Sequence, residues 1–245
     1  MAALVLVVQH QDDCPPALVG DWLVEAGCRL DVRRPYAGEP LPDDLGVHDA
    51  LLVLGGSMGA DDDTEHAWLQ HTKQLIREAA ERGTATLGIC LGHQLAAVAL
   101  GGTVIRNPQG QQLGLLPMGW TDAAVRDDLM LGLVGASLGV HWNDDMVDRA
   151  PVGTEILAVA PGGELQVARF APRVWGVQLH PEVDAAILQT WAEEDPDRYA
   201  AGVLDDVLGR IRSAQARLEA EWRPLATGLA RLTTPLARDE ILDLE

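Results

Sequence analysis

The chain has 245 residues, 47% apolar and 22% charged, the proportions of a soluble globular protein long enough to bury a substantial core in one principal domain. Eighteen Lys and Arg face 37 Asp and Glu, a formal charge of -19, which disfavours nonspecific binding to nucleic acid or to an anionic membrane. Cys14, Cys28 and Cys90 match neither a disulfide framework nor a zinc site, so a reducing, cytoplasmic setting is expected, with no metal and no cofactor.

The apolar start, residues 1–8, lacks a basic leader and stops at Gln9-His10, so it reads as a first strand rather than a signal sequence. No uninterrupted apolar segment approaches the roughly 20 residues that span a bilayer. Strand-like runs at 4–8, 28–32, 50–54 and 84–88 alternate with helix-like ones at 17–26, 65–82 and 91–100. Such alternation predicts an α/β fold with a parallel sheet flanked by helices. Asp62 is expected to cap the second helix, with Glu65 three residues on and Gly83 at its end.

From about Gly114 the apolar runs shorten. Residues 156–160 and 165–170 around Pro161-Gly162-Gly163 predict a β-hairpin, and 174–179 the next strand. Beyond Pro181, Leu204, Leu208, Ile211, Leu218 and Trp222 form a helical stripe that must be buried, either on its own domain or in an oligomer or partner contact. Pro224 and Pro235 are expected to divide this tail into short segments.

Three motifs carry chemistry. In Gly88-Ile89-Cys90-Leu91-Gly92-His93-Gln94 a cysteine lies between glycines where a strand gives way to a helix. A strained strand-to-helix turn needs small neighbours, and the helix N-terminus presents unpaired N–H groups and partial positive charge that favour thiolate. Ninety residues on, Trp175-Gly176-Val177-Gln178-Leu179-His180-Pro181-Glu182 delivers a histidine at a strand end and, two residues later, a carboxylate able to fix its tautomer. Cys90 as nucleophile, His180 as base and Glu182 as orienter are the parts acyl transfer requires. The apolar strand 50–54 runs into Gly55-Gly56-Ser57-Met58-Gly59, where the N–H of Gly56, with that of Leu91, reads as an oxyanion hole. All three motifs fall at the carboxyl ends of strands, where open α/β sheets hold ligands.

In this order and at these separations, the motifs resemble those of the triad-type (class I) glutamine amidotransferases, in particular the glutaminase part of GMP synthetases and its free-standing relatives. GICLGHQ matches that family's nucleophile signature, and GVQLHPE its His-x-Glu signature, with Leu179 where phenylalanine is usual. The resemblance covers roughly residues 3–190. It implies a flavodoxin-like three-layer α/β sandwich with a central, mostly parallel sheet, an added hairpin or meander and a helical C-terminal extension, divided as 1–192 and 193–245. It also implies Cys90, His180 and Glu182 as catalytic residues, Gly56 and Leu91 as oxyanion donors, and Gln94, Gly55, Met58, His141 and Trp142 around the substrate. For Gln94 geometry agrees, since it lies one helical turn beyond Cys90. Within His141-Trp142-Asn143-Asp144, similar to a segment whose backbone lines the family's pocket, Asn143 replaces a common histidine. The amide-rich run 107–112 reads as a surface loop, or as a shaper of acceptor specificity.

Two enzymatic functions follow. In one, glutamine is hydrolysed and its ammonia passes to a separate synthetase, because the chain carries no phosphate-binding loop and no ATP-pyrophosphatase signature. In the other, a γ-glutamyl peptide or conjugate is cleaved without a partner. A non-catalytic binding protein of the same fold is the third reading, against which the intact Cys90, His180 and Glu182 argue.

Overall fold

A computed structural model describes residues 2–233. Its centre is an eight-stranded sheet built from β1 (Leu4–Val8), β2 (Arg29–Arg33), β3 (Ala50–Val53), β4 (Ala85–Ile89), β7 (Gly119–Trp120), β10 (Glu155–Val159), β11 (Leu165–Ala171) and β12 (Val174–Val177), in the order β2-β1-β3-β4-β12-β11-β10-β7. The five strands from β2 to β12 pair in parallel, whereas β11, β10 and β7 continue the sheet antiparallel. Register places Gly88 between Val53 and Gly176, so the carboxyl ends of β3, β4 and β12 finish level with one another. The predicted hairpin is the β10–β11 pair. Two small antiparallel pairs, β5 (Thr103–Arg106) with β9 (Asp145–Arg149) and β6 (Gln112–Pro117) with β8 (Leu138–Asn143), lie outside the main sheet.

The inner parallel strands β1 and β3 are apolar along their whole length because both faces are covered, whereas the edge strand β2 carries Arg29, Asp31 and Arg33. Val5, Val7 and Leu52 point to one layer, with α1 (Ala17–Glu25) and α5 (Val203–Leu232). Leu6, Val8, Leu51 and Val53 point to the other, with α2 (Trp68–Arg82) and α3 (Leu91–Ala99). A further helix, α4 (Ala185–Glu194), starts at Asp184, whose side chain accepts from the N–H groups of Ala186 and Ile187. The helical stripe Leu208, Ile211, Leu218 and Trp222 is buried, with Leu204 half-buried beside it, in the same cluster as Trp175 and Val177.

Two local expectations are corrected. Asp62 does not cap α2, which begins at Trp68; its carboxylate instead accepts the Gly59 N–H at 2.6 Å and closes the glycine loop. Gly83 does end that helix, left-handed at φ 66°, its N–H donating to the Ala79 carbonyl. Pro224 does not divide the tail, for α5 runs unbroken through it. A proline within a helix forfeits one backbone hydrogen bond, but here Trp222, Leu225 and Leu229 are anchored in the core on either side and hold the helix together. Pro235 lies outside the described residues. No described helix is long and apolar enough to cross a membrane, and no described group of three or more His, Cys, Asp or Glu could hold a metal.

Candidate active site

The chain turns from β4 into α3 at Cys90, held at φ 50°, ψ −104°, a region that costs a side-chain-bearing residue about 1–3 kcal/mol. Two hydrogen bonds fix the turn: Cys90 N–H donates to the Val177 carbonyl at 2.9 Å, and the Cys90 carbonyl accepts from Gln94 N–H at 3.1 Å. The flanking glycines are obligatory. A Cβ on Gly88 would lie 2.7 Å from the His93 nitrogen and nearer still to the Gly92 carbonyl, and one on Gly92 would lie 2.8 Å from the Val53 carbonyl carbon. Helix and strand therefore meet backbone to backbone, and the Cys90 side chain is left facing a cavity.

His180 arrives from the segment after β12, its N–H donating to the Val140 carbonyl at 2.7 Å. Its Nδ1 donates to Glu182 Oε1 at 2.7 Å, both side chains buried, which leaves Nε2 for the Cys90 sulfur. Burial opposes protonation of His180, but the charge of the Cys90 sulfur and of Glu182, with the hydrogen bond to Glu182, outweighs it and raises the imidazole pKa to about 10. Trp191 of α4 packs edge-on to the ring at 4.8 Å between centroids. Gly55 lies against both partners: a Cβ there would be 3.1 Å from His180 Cε1 and 3.7 Å from Cys90 Cβ.

The glycine loop after β3 approaches the same point. Ser57 N–H donates to Gln11 Oε1 at 2.6 Å, and a Cβ on Gly56 would meet the Met58 sulfur at 2.6 Å and Leu91 Cδ2 at 3.0 Å. Among the described residues no group accepts from the Gly56 or Leu91 N–H, so both donors are free at the strand ends. Buried His10 supports the loop from behind: Trp68 Nε1–H donates to His10 Nδ1 at 3.2 Å, and burial, followed by the charge of His66, lowers the His10 pKa to about 3.

A cavity of about 230 Å³ opens onto Cys90 and His180, with Gly56, Met58, Gln94 and Trp142 in its lining. Gln111 of the amide-rich run also lines it, whereas Asn107 and Gln112 are buried, bonded to Glu164 and Asn143 respectively. His141 is placed differently: its ring is fully buried, bonded to Asn143 at 3.2 Å and Gln166 at 3.3 Å, and burial lowers its pKa to about 4.

Sequence reasoning missed a second group of lining residues. Gln11, Asp13 and Cys14 follow β1, and their position at a strand's carboxyl end was the available signal. Trp191, Glu194, Arg198 and Tyr199 come from α4 and beyond, and no local pattern marks them. The Trp142 ring stands 6.0 Å from that of Trp191 and 6.2 Å from that of Tyr199, making an aromatic wall. Arg198 pairs with Asp144, which Arg106 also reaches at 3.2 Å.

Residues 18–189 match the sequence profile described as glutamine amidotransferase class-I. The glutamine amidotransferase-like protein YfeJ of Salmonella typhimurium is 32% identical over 165 residues, 66% of this chain and 68% of that one. The glutamine-hydrolyzing GMP synthase of Aeropyrum pernix is 31% identical over 189 residues, 76% of this chain but 30% of that longer protein. Gamma-glutamyl peptidase 4 of Arabidopsis thaliana is 30% identical over 175 residues, 70% and 67% of the two chains. The crystal structure of a glutamine amidotransferase from Thermotoga maritima superposes with a TM-score of 0.83 at 23% identity, covering 94% of this chain and 99% of that one, a likeness of fold. The cysteine turn and its facing His-Glu pair both lie inside the matched span, and the chain belongs to the class-I glutamine amidotransferase family.

Proposed function

We propose that this protein hydrolyses the side-chain amide of glutamine through a cysteinyl thioester and releases ammonia for a separate synthetase. The convergence of Cys90, His180 and Glu182 at a strained turn beside the free N–H groups of Gly56 and Leu91 carries this reading. With His180 protonated, the Cys90 thiolate attacks the amide carbon, and the oxyanion falls to the Gly56 and Leu91 donors, each worth about 3 kcal/mol of barrier. The imidazolium gives its proton to the departing nitrogen, and ammonia leaves. Neutral His180 then takes a proton from water as the hydroxide adds to the thioester, and glutamate departs with the sulfur restored as thiolate. Glu182 holds the imidazole in register throughout. Gln94, in the cavity lining one turn past Cys90, is placed to meet the glutamyl group.

One observation favours a second reading, in which a γ-glutamyl peptide or amine is cleaved with the same chemistry. The wall of Trp142, Trp191 and Tyr199 bounds space that ammonia as a leaving group does not need. Turnover of glutamine, γ-glutamyl dipeptides and γ-glutamyl amines by the purified protein separates the two. Glutamine hydrolysis stimulated by a synthetase supports the first reading, and dipeptide turnover far above glutamine eliminates it. Cys90→Ala is expected to abolish hydrolysis of every substrate, and unchanged turnover in that variant overturns both.

A further inference from the structure

Gln178 follows directly on β12 and is 1% exposed, so its amide must be satisfied inside the protein. Its Oε1 accepts from Gln94 Nε2 at 3.2 Å, and its Nε2 lies 3.6 Å from the Cys90 sulfur. The orientation is forced by a backbone group two bonds away in the network. Gln94 Nε2 also donates to the Asp145 carbonyl at 3.1 Å, and a carbonyl oxygen only accepts. The amino end of Gln94 therefore faces both Asp145 and Gln178, so Gln178 must turn its oxygen toward Gln94. Its own amino group is then left pointing at the sulfur, which as thiolate is an acceptor only. Asn143 Nδ2 donates to the same Asp145 carbonyl at 3.1 Å, which holds that oxygen in place.

We infer that Gln178 is a further catalytic residue, a fixed donor to the Cys90 thiolate, and that Gln94 and the Asp145 carbonyl are positioning groups that orient it. An amide donates a hydrogen bond without surrendering the proton, so Gln178 stabilises the sulfur charge while leaving proton transfer to His180. The same donor loads the thiolate before attack and receives it again when the thioester is hydrolysed. Gln94 thereby faces the cavity and the nucleophile's support at once, linking occupation of the glutamyl site to the sulfur.

The inference rests on Cys90 being the nucleophile, and the readout that decides it uses no substrate. Alkylation of Cys90 by iodoacetamide, followed by mass spectrometry across pH, reads the thiolate directly. Cys14 and Cys28 serve as internal controls, since burial pushes both thiols up. The titratable groups around the sulfur are His180 and Glu182 after β12 and Cys14 after β1; His141 on β8 faces His180, and Asp13, Asp145 and Glu194 line the same cavity. Gln178→Met keeps the side chain's length and removes the donor. Its alkylation midpoint should move up by about one pH unit, as expected for a hydrogen bond to a charged group. Its kcat should fall while KM for the hydrolysed amide stays near that of the parent. A midpoint identical to the parent's in a folded Gln178→Met protein overturns the inference. Should that variant fail to fold, the Gln178 side-chain amide resonance of the parent protein decides: it should move with the alkylation midpoint, and a resonance flat through it overturns the inference. Hydrolysis surviving in Cys90→Ala would instead remove the proposed function itself, so the two failures are distinguishable.

Discussion

Gly92→Ala sets helix propensity against tertiary packing at the point where α3 meets the sheet. Propensity alone predicts a gain, since alanine is favoured over glycine in a helix by about 1 kcal/mol. The surroundings forbid it. The new Cβ would lie 2.8 Å from the Val53 carbonyl carbon and 3.1 Å from Val53 Cβ, and Val53 is fully buried in β3 between Val8 and Gly88. A central strand paired on both edges does not yield, so α3 must retreat by about 1 Å, an overpacking cost of about 1–3 kcal/mol that propensity only partly offsets. The retreat carries Cys90 and Leu91 away from His180 and Gly56, and a displacement of that size lowers turnover by about 100-fold. Gly209→Ala is the matched control: it lies within α5, a Cβ there meets nothing within 4 Å, and it should gain up to about 1 kcal/mol with activity unchanged. Urea denaturation and kcat/KM on the preferred glutamyl amide measure both. A Gly92→Ala protein as stable as Gly209→Ala, with full turnover, would refute the close-packed turn.

Trp222→Ala removes a side chain 1% exposed whose Nε1–H donates to the Leu138 carbonyl at 2.9 Å, and should cost about 3–5 kcal/mol by denaturation; a loss under 1 kcal/mol would mean α5 contributes little to the fold. Glu182→Gln keeps the shape but no longer fixes the His180 tautomer, so kcat should fall by about 10⁴-fold with the melting temperature changed by only a few degrees, and a fall under tenfold would remove the orienting role. Stability should decline on both sides of neutrality. His10, His93 and His141, buried and neutral with pKa values near 3, 4 and 4, support the fold fully above about pH 6.5 and progressively less as pH falls toward 4. His180 works in the opposite sense: its raised pKa gives a contribution complete below about pH 6.5 and lost as pH climbs toward 10. Melting temperatures from pH 4 to 10 check both limbs, and His180→Gln should flatten the alkaline limb alone.

The legible part of the site was local. Gly88, Cys90 and Gly92 announce a crowded turn because only glycine leaves room for backbone against backbone, and His180 with Glu182 announces an oriented imidazole because a single residue separates the ring from its carboxylate. The parallel strands were legible for a similar reason, since burial on both faces demands unbroken apolar runs such as 4–8 and 50–54. Gln178, the aromatic wall of Trp191 and Tyr199, and the interior placement of His141 had no such mark. Each depends on partners 25 to 90 residues away whose approach no window of sequence contains.

The sequence by itself determined which segments become strands and helices and where a thiol, an imidazole and a carboxylate fall at strand ends, because those properties reside in neighbouring residues and their spacing. Tertiary structure decided where they meet. Alignment of β4 with β12 brings His180 to the sulfur, and the core on both sides of Pro224 overrides the proline's local preference. In each case contacts between segments distant in the chain outweigh a local tendency worth only a few kcal/mol.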